Sequence, residues 1–118
     1  MKILGMCSFG KNRSRYIADL LAKKGHDTDY AGVKQDHDVV QGKIDWAEIV
    51  VSVHPNVAAV LKESYNLENT KLIELDVEDR PEKVLPEGKP LDGEDWKMFQ
   101  ERYVYTKLAK EIHEKLNL

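Results

Sequence analysis

Strand-like segments alternate with helix-like segments along this chain, and the alternation limits its possible folds more than any other feature. Short runs of apolar residues predict four strands, at residues 2–6, 27–33, 48–53 and 72–75. Apolar residues at helical spacing predict three helices, at residues 13–24, 55–65 and 93–116. This order favours a parallel sheet with right-handed crossovers and helices on both faces. We therefore expect an α/β fold, a three-layer sandwich around a four-stranded parallel sheet.

The segments between these elements are predicted to be loops and turns. Residues 35–42 are polar and are expected to form a loop, residues 45–47 a short turn, and the proline-rich residues 81–90 a second loop. Trp46 and Tyr65 are expected to lie in the core. Aromatic and aliphatic residues are expected on the inner face of the last helix: Trp96, Phe99, Tyr103, Leu108, Ile112 and Leu116.

Length and composition exclude several classes of protein. With 118 residues, the chain is expected to form one domain, residues 1–118. The net charge of −3 shows no basic excess, so neither a nucleic-acid nor a membrane partner is expected. No apolar run approaches the roughly 20 residues that a membrane-spanning helix needs. The single cysteine excludes an internal disulfide and a cysteine-rich zinc site, and it fits a reducing, cytoplasmic compartment.

That cysteine, Cys7, directly follows the first predicted strand, and Arg13 and Ser14 precede the first helix. A loop that enters a helix start directs several backbone N–H groups at one point, and the helix dipole adds partial positive charge there. Such a site binds phosphate or sulfate. The same field is expected to lower the pKa of the Cys7 thiol, and Arg13 is suited to clamp two phosphate oxygens.

Two neighbouring residues fit this interpretation. Gly10 allows the backbone to approach a ligand closely, and Ser14 is placed either to donate a hydrogen bond to the thiolate or to cap the helix. The alternative is that Cys7 is a small, inert, buried side chain, as isolated cysteines at strand ends often are.

The spacing Cys-x5-Arg-Ser after an N-terminal strand resembles the phosphate-binding loop of the low-molecular-weight protein tyrosine phosphatases. The resemblance implies that Cys7 is the nucleophile and that Arg13 binds the phosphoryl group. It also implies that one loop holds the phosphoryl oxygens: Ser8, Phe9, Gly10, Lys11, Asn12, Arg13 and Ser14. In that family, glycine and asparagine usually occupy the second and third positions after the cysteine, whereas here they occupy the third and fifth.

The similarity extends over roughly residues 1–80. Tyr30-Ala31-Gly32-Val33 resembles the family's Ser-Ala-Gly-Thr at the end of its second strand. Residues 44–51 resemble the Trp-Ala-Asp segment of a compact bacterial and archaeal branch of predicted tyrosine phosphatases, and residues 75–79 resemble its Leu-Asp-Ile-Pro-Asp. The resemblance implies the family's four-stranded parallel sheet.

A phosphatase of this type needs a carboxylic acid to protonate the leaving oxygen. Asp76 and Asp79 both follow the fourth predicted strand. The family's acid stands in Asp-Pro just past the strand, and Asp79-Arg80-Pro81 is the nearer match, so Asp79 is favoured over Asp76. His54 also follows a strand, and a histidine there is more often structural than catalytic.

The resemblance thus implies a phosphomonoester hydrolase that acts through a phosphocysteine, without a metal or organic cofactor. Its partners are expected to be phosphorylated proteins or small phosphoesters; phosphotyrosine and phosphoarginine both suit such a loop. Three alternatives stay open. An arsenate reductase needs additional cysteines, a sugar-transport phosphocarrier of the IIB type has no need of Arg13, and a non-catalytic phosphopeptide-binding module would lack the acid.

Overall fold

The protein has an α/β fold built on one parallel sheet, in agreement with the prediction. The computed structural model describes residues 1–116, so Asn117 and Leu118, the end of the predicted domain, lie outside the described residues. The strands are β1 (Lys2–Cys7), β2 (Asp27–Gly32), β3 (Ile49–Ser52) and β4 (Lys71–Glu74). All neighbouring strands are parallel, in the order β2-β1-β3-β4.

Helices connect these strands and form the C-terminal part. They are α1 (Arg13–Lys23), α2 (His37–Trp46), α3 (Pro55–Ser64), the short α4 (Pro81–Val84), α5 (Gly93–Phe99) and α6 (Tyr105–Leu116). A π-helical segment, Gln100–Val104, joins α5 to α6.

The two central strands are covered on both faces. All residues of β1 from Ile3 to Cys7 are buried, and so is all of β3, which is the pattern of a strand with helices above and below it. From β1 the chain crosses to β2 at one edge of the sheet. From β2 it crosses in the opposite direction, first to β3 and then to β4. Right-handed crossovers therefore place α1 on one face and α2 and α3 on the opposite face. Helix α6 packs on α1 and thickens that layer.

Helix α2 corrects two predictions, because residues 37–42 of the predicted loop 35–42 and residues 45–46 of the predicted turn 45–47 are helical. The Asp36 carboxylate accepts a hydrogen bond from the Val39 amide at 3.1 Å and so caps the helix. Within α2 the buried residues are Val40 and Ile44, so its apolar stripe is narrow. Trp46, expected in the core, is 37% exposed.

The C-terminal helix also differs from the prediction. The predicted helix 93–116 is divided by the π-helical turn, and the predicted loop 81–90 contains α4. Phe99, Leu108 and Ile112 are buried as expected, but Trp96 is 37% exposed. Among the described residues, none of the helices combines the length and the apolar character that crossing a membrane requires.

The strand order creates a crevice at the carboxyl ends of β1 and β3. The connections that leave the carboxyl ends of β1 and β3 run in opposite directions across the sheet, to β2 and to β4, and ligands of open α/β sheets bind at such a point. Cys7 ends β1, and His54 lies just past β3. The segment after β4 reaches the same edge.

Candidate active site

The loop between β1 and α1 folds tightly against the end of β2. Gly10 has φ of 74°, a conformation that glycine adopts without strain. A Cβ on Gly32 would lie 2.3 Å from the Phe9 carbonyl carbon and 2.4 Å from the Gly10 nitrogen. Pairing continues past β2, because the Val33 and Lys34 amides donate to the carbonyls of Cys7 and Ser8. The backbone at the end of β2 thus packs against the loop and holds it by hydrogen bonds.

Cys7 lies at the base of this loop, 4% exposed. Its Sγ is 3.1 Å from the Ser14 Oγ, and the Gly10 amide donates to it at 3.1 Å. Burial by itself raises the pKa of the thiol, but hydrogen bonds from the Ser14 hydroxyl and from the amides of Ser14, Gly10 and Lys11 outweigh it. The net result is a pKa below the ordinary value for cysteine, which favours the thiolate.

Ser14 therefore has one of the two roles considered for it. Helix α1 begins at Arg13, and Asn12 is its N-cap residue, so Ser14 lies inside the first turn and does not cap the helix. Its hydroxyl contacts the Cys7 sulfur instead. The start of an 11-residue helix at this point also directs its free N–H groups toward the loop.

Arg13 is buried and reaches toward the segment that follows β4. Its Nη1 donates to the Val77 carbonyl at 2.6 Å, and its Nε lies 3.2 Å from the Asp79 Oδ2. The guanidinium therefore connects the Cys7 loop to the segment after β4, and Arg13 lines the same cleft as Cys7.

The two candidate acids lie in different places. Asp79 pairs with Arg13 and lines the cleft above Cys7. Asp76 is exposed, and its amide is held by the Glu111 carboxylate of α6 at 3.0 Å, away from that cleft. Since a general acid must reach the leaving oxygen, the geometry favours Asp79.

Two adjoining clefts open at this edge of the sheet. One has a volume of about 330 Å³ and includes Cys7, with two aromatic side chains in its walls, Phe9 (58% exposed) and Trp96. Lys34 lies over the Phe9 ring, with its Nζ 4.7 Å from the ring centre. The other cleft, of about 370 Å³, continues past Arg13 and Asp79 to His54.

An ion-pair cluster forms the far wall of this second cleft. Arg80 donates from Nε and Nη2 to the Glu78 carboxylate at 2.7 and 3.1 Å, and these hydrogen bonds lower the pKa of Glu78 to about 2 against the opposing effect of burial. The His54 Nδ1 accepts from the Asn56 amide at 3.1 Å, so the proton of the neutral ring is on Nε2. That nitrogen is 3.4 Å from Glu78.

The structure brings together most of the predicted site residues. Ser8, Phe9, Lys11 and Asn12 line the cleft around Cys7 together with Arg13 and Asp79, while Gly10 and Ser14 contact the sulfur. Asp76 does not join them.

Three residues of the site were not predicted: Gln100, Tyr105 and Trp96. The Asn12 side chain donates from Nδ2 to the Gln100 Oε1 at 2.7 Å, and the Gln100 Nε2 donates to the Asp79 carbonyl at 3.0 Å. The Tyr105 hydroxyl donates to the Asn12 Oδ1. Trp96, expected in the core, lines the cleft. The sequence holds no local signal for these contacts, because they join residues far apart in the chain.

In comparisons with known proteins, this chain matches neither a protein-family model nor a curated protein.

Proposed function

We propose that this chain is a cysteine-dependent phosphomonoester hydrolase of the protein tyrosine phosphatase type. One observation carries the proposal: a buried thiol with a lowered pKa lies among convergent amides, and Arg13 and Asp79 face each other at 3.2 Å in the cleft above it. A nucleophile, a phosphate-binding cation and a proton donor are thus in one place.

In the first step, a phosphoryl group enters the loop and its oxygens accept hydrogen bonds from the loop amides and Arg13. Because Asp79 occupies Nε of Arg13, a bidentate contact of phosphate with Nε and Nη2 requires the carboxyl to leave the guanidinium. The Cys7 thiolate attacks phosphorus and forms the S–P bond, while the P–O bond to the alcohol breaks. Asp79 in its protonated form gives its proton to the departing oxygen.

In the second step, water attacks the phosphocysteine. The Asp79 carboxylate accepts a proton from this water, the S–P bond breaks, and the electron pair returns to the Cys7 sulfur as thiolate. Inorganic phosphate leaves. The thiolate of Cys7 and the protonated Asp79 that entered the first step are both restored.

The walls of the cleft favour an aromatic leaving group. Phe9 and Trp96 are both partly exposed beside Cys7, and aromatic side chains pack well against a planar ring. An aryl phosphate, such as phosphotyrosine, fits this arrangement better than a compact polar alcohol does.

The test is hydrolysis of p-nitrophenyl phosphate by the purified protein and by the variant Cys7→Ser. We expect turnover in the unmutated protein and none in the variant. Rapid acid quenching should also trap a phosphocysteine at Cys7, detectable by mass spectrometry. Turnover retained in Cys7→Ser would exclude the mechanism.

Further assays separate the alternatives. A IIB-type phosphocarrier would accumulate phosphocysteine from a phosphorylated donor protein but would not release phosphate from esters. A non-catalytic binding module would bind phosphate or phosphopeptide without any turnover. An arsenate reductase would consume arsenate with an external thiol as reductant.

A further inference from the structure

Gln100 places a side-chain amide between the two loops of the site. It belongs to the π-helical segment and is 1% exposed. Its Oε1 accepts from the Asn12 Nδ2 at 2.7 Å, and its Nε2 donates to the Asp79 carbonyl at 3.0 Å. One side chain therefore contacts both the residue before Arg13 and the backbone of the candidate acid.

The C-terminal region holds Asn12 from a second side as well. The Tyr105 hydroxyl donates to the Asn12 Oδ1, and the Tyr105 ring stacks on Tyr16 of α1 with ring centres 4.4 Å apart and planes within 4°. Burial raises the pKa of Tyr105, so its hydroxyl remains a donor at neutral pH. The Asn12 side chain is thus fixed through both its oxygen and its nitrogen.

Stability alone does not account for an amide at this position. Burying an amide costs free energy that its hydrogen bonds roughly offset, and an apolar side chain of the same size is often as stabilising. π-helical turns within α-helices occur often at functional sites. Here the turn contributes a polar group that joins two segments whose relative position decides the proposed chemistry.

We propose that Gln100 is a positioning residue, which holds the Asp79 backbone against the phosphate-binding loop while the Asp79 side chain turns from Arg13 to the leaving oxygen. This inference rests on the proposed phosphatase function. Gln100 touches no reacting atom. It fixes the Cα of Asp79, about which the carboxyl group rotates. A displacement of this Cα by about 1 Å can lower the rate about a hundredfold.

The test compares two esters in the variant Gln100→Met, which keeps the length of the side chain but not its hydrogen bonds. Phenyl phosphate releases a basic phenolate that needs the acid, whereas p-nitrophenyl phosphate releases a weakly basic one that needs it little. We expect kcat/KM, which reports the steps through release of the alcohol and not hydrolysis of the phosphocysteine, to fall about tenfold or more on phenyl phosphate and less than about threefold on p-nitrophenyl phosphate. Inhibition by inorganic phosphate should change less than about threefold, because Cys7, Arg13 and the loop amides remain.

Gln41→Met is the matched control. Gln41 makes similar side-chain hydrogen bonds, to Asp45 and Asn66, but it lies on α2, outside both clefts. This variant should leave the ratio of the two rates unchanged. If Gln100→Met does not fold, Gln100→Asn keeps a buried amide that is too short to reach both partners, and the same change in ratio is expected.

The possible results separate the two proposals. Equal losses on the two esters, or no loss, would overturn the positioning role and leave the phosphatase proposal standing. Hydrolysis of neither ester by the unmutated protein would overturn both.

Discussion

At the scale of single residues, the hydrogen bonds around Cys7 oppose the effect of its burial. A buried thiol in apolar surroundings is normally less acidic than a free one. At Cys7, the Ser14 hydroxyl and the loop amides reverse this tendency. Each donor is therefore expected to matter for reactivity even though none of them touches the substrate's leaving group.

Replacing Ser14 by alanine should raise the pKa of Cys7, because the variant loses the side-chain hydrogen bond to the sulfur. The rate of Cys7 alkylation by iodoacetamide, measured against pH, should have its midpoint at higher pH in Ser14→Ala than in the unmutated protein. Ser64→Ala, on the exposed end of α3, is the control. An unchanged midpoint would mean that the backbone amides alone account for the lowered pKa of Cys7.

Exchanging the two aspartates for asparagine should separate their roles. We expect Asp79→Asn to reduce kcat on phenyl phosphate by about 10²- to 10⁴-fold, the usual contribution of a general acid. Asp76→Asn should stay within about twofold of the unmutated rate, because surface changes away from a site rarely matter. The opposite order of the two variants would reassign the acid to Asp76.

The predictable part of the site is the part that is local in sequence. Cys7, Arg13 and Ser14 lie close together in the sequence, between a predicted strand and a predicted helix, so their juxtaposition could be expected. Asp76 and Asp79 both follow a predicted strand, and Asp79 was favoured because Asp79-Arg80-Pro81 resembles the Asp-Pro of the phosphatase family. Gln100 was not predicted, because its contact with Asn12 spans 88 residues and depends on a π-helical turn that no sequence pattern marks.

At the scale of secondary-structure elements, the approach of β2 to the Cys7 loop decides the shape of the proposed anion site. A side chain at position 32 would overlap the loop backbone at Phe9 and Gly10. The loop has no room to retreat without changing its contacts with β2. Glycine at position 32 is thus required by packing, and the interpretation of Ala31-Gly32 as a strand end is consistent with this contact.

Gly32→Ala should therefore displace the loop. We expect it to lower the free energy of unfolding by about 1–3 kcal/mol, the usual cost of overpacking, and to weaken inhibition by inorganic phosphate. Urea unfolding and inhibition assays measure the two effects. Gly42→Ala in α2 is the control: the added Cβ would have no neighbour within 4 Å, and alanine favours a helix by about 0.5–1 kcal/mol. Equal behaviour of the two variants would contradict the packing argument.

The missed helix α2 shows the limit of periodicity at this scale. Its buried residues are Val40 and Ile44, one turn apart, and most of the other residues of the helix are polar. So narrow a stripe resembles a polar loop in the sequence. The cap at Asp36 was the available signal, but an aspartate before a polar segment is common in loops too.

The Glu78–Arg80 pair after β4 should give stability that depends on pH. The pKa of Glu78 in the folded protein, about 2, is lower than its ordinary value of 4.5. Such a carboxylate stabilises the fold fully above about pH 4.5 and loses the effect as the pH falls through about 2. Glu78→Gln should therefore be less stable than the unmutated protein at neutral pH. In urea unfolding, the difference in the free energy of unfolding between the two proteins should shrink as the pH falls from about 4.5 to about 2. A difference that does not change with pH would contradict the assignment of this stability to the Glu78 carboxylate.

At the scale of the whole molecule, the C-terminal helices belong to the same core as the sheet. Phe99, Val104, Leu108 and Ile112 are part of one buried cluster that includes β1 and β3. The fold class was predicted from the alternation of strands and helices, because period and order are visible in the sequence. The docking of α5 and α6 beside the site was not predicted, since it depends on which apolar faces meet in space.

This shared core predicts that the molecule unfolds as a unit, and Leu108 offers the sharpest test. Leu108 is fully buried on α6, so Leu108→Ala removes packed methyl groups and should cost about 2–5 kcal/mol. Because α6 shares the core with β1, the loss should shift a single urea transition seen equally by far-UV circular dichroism and tryptophan fluorescence. Lys110→Ala, exposed on the same helix, should change stability by less than about 0.5 kcal/mol.

If Leu108→Ala instead produced an early transition confined to part of the helical signal, with the main transition unmoved, the C-terminal helices would be an independently unfolding layer. The hydrogen bonds of Gln100 and Tyr105 would then be lost before the sheet unfolds.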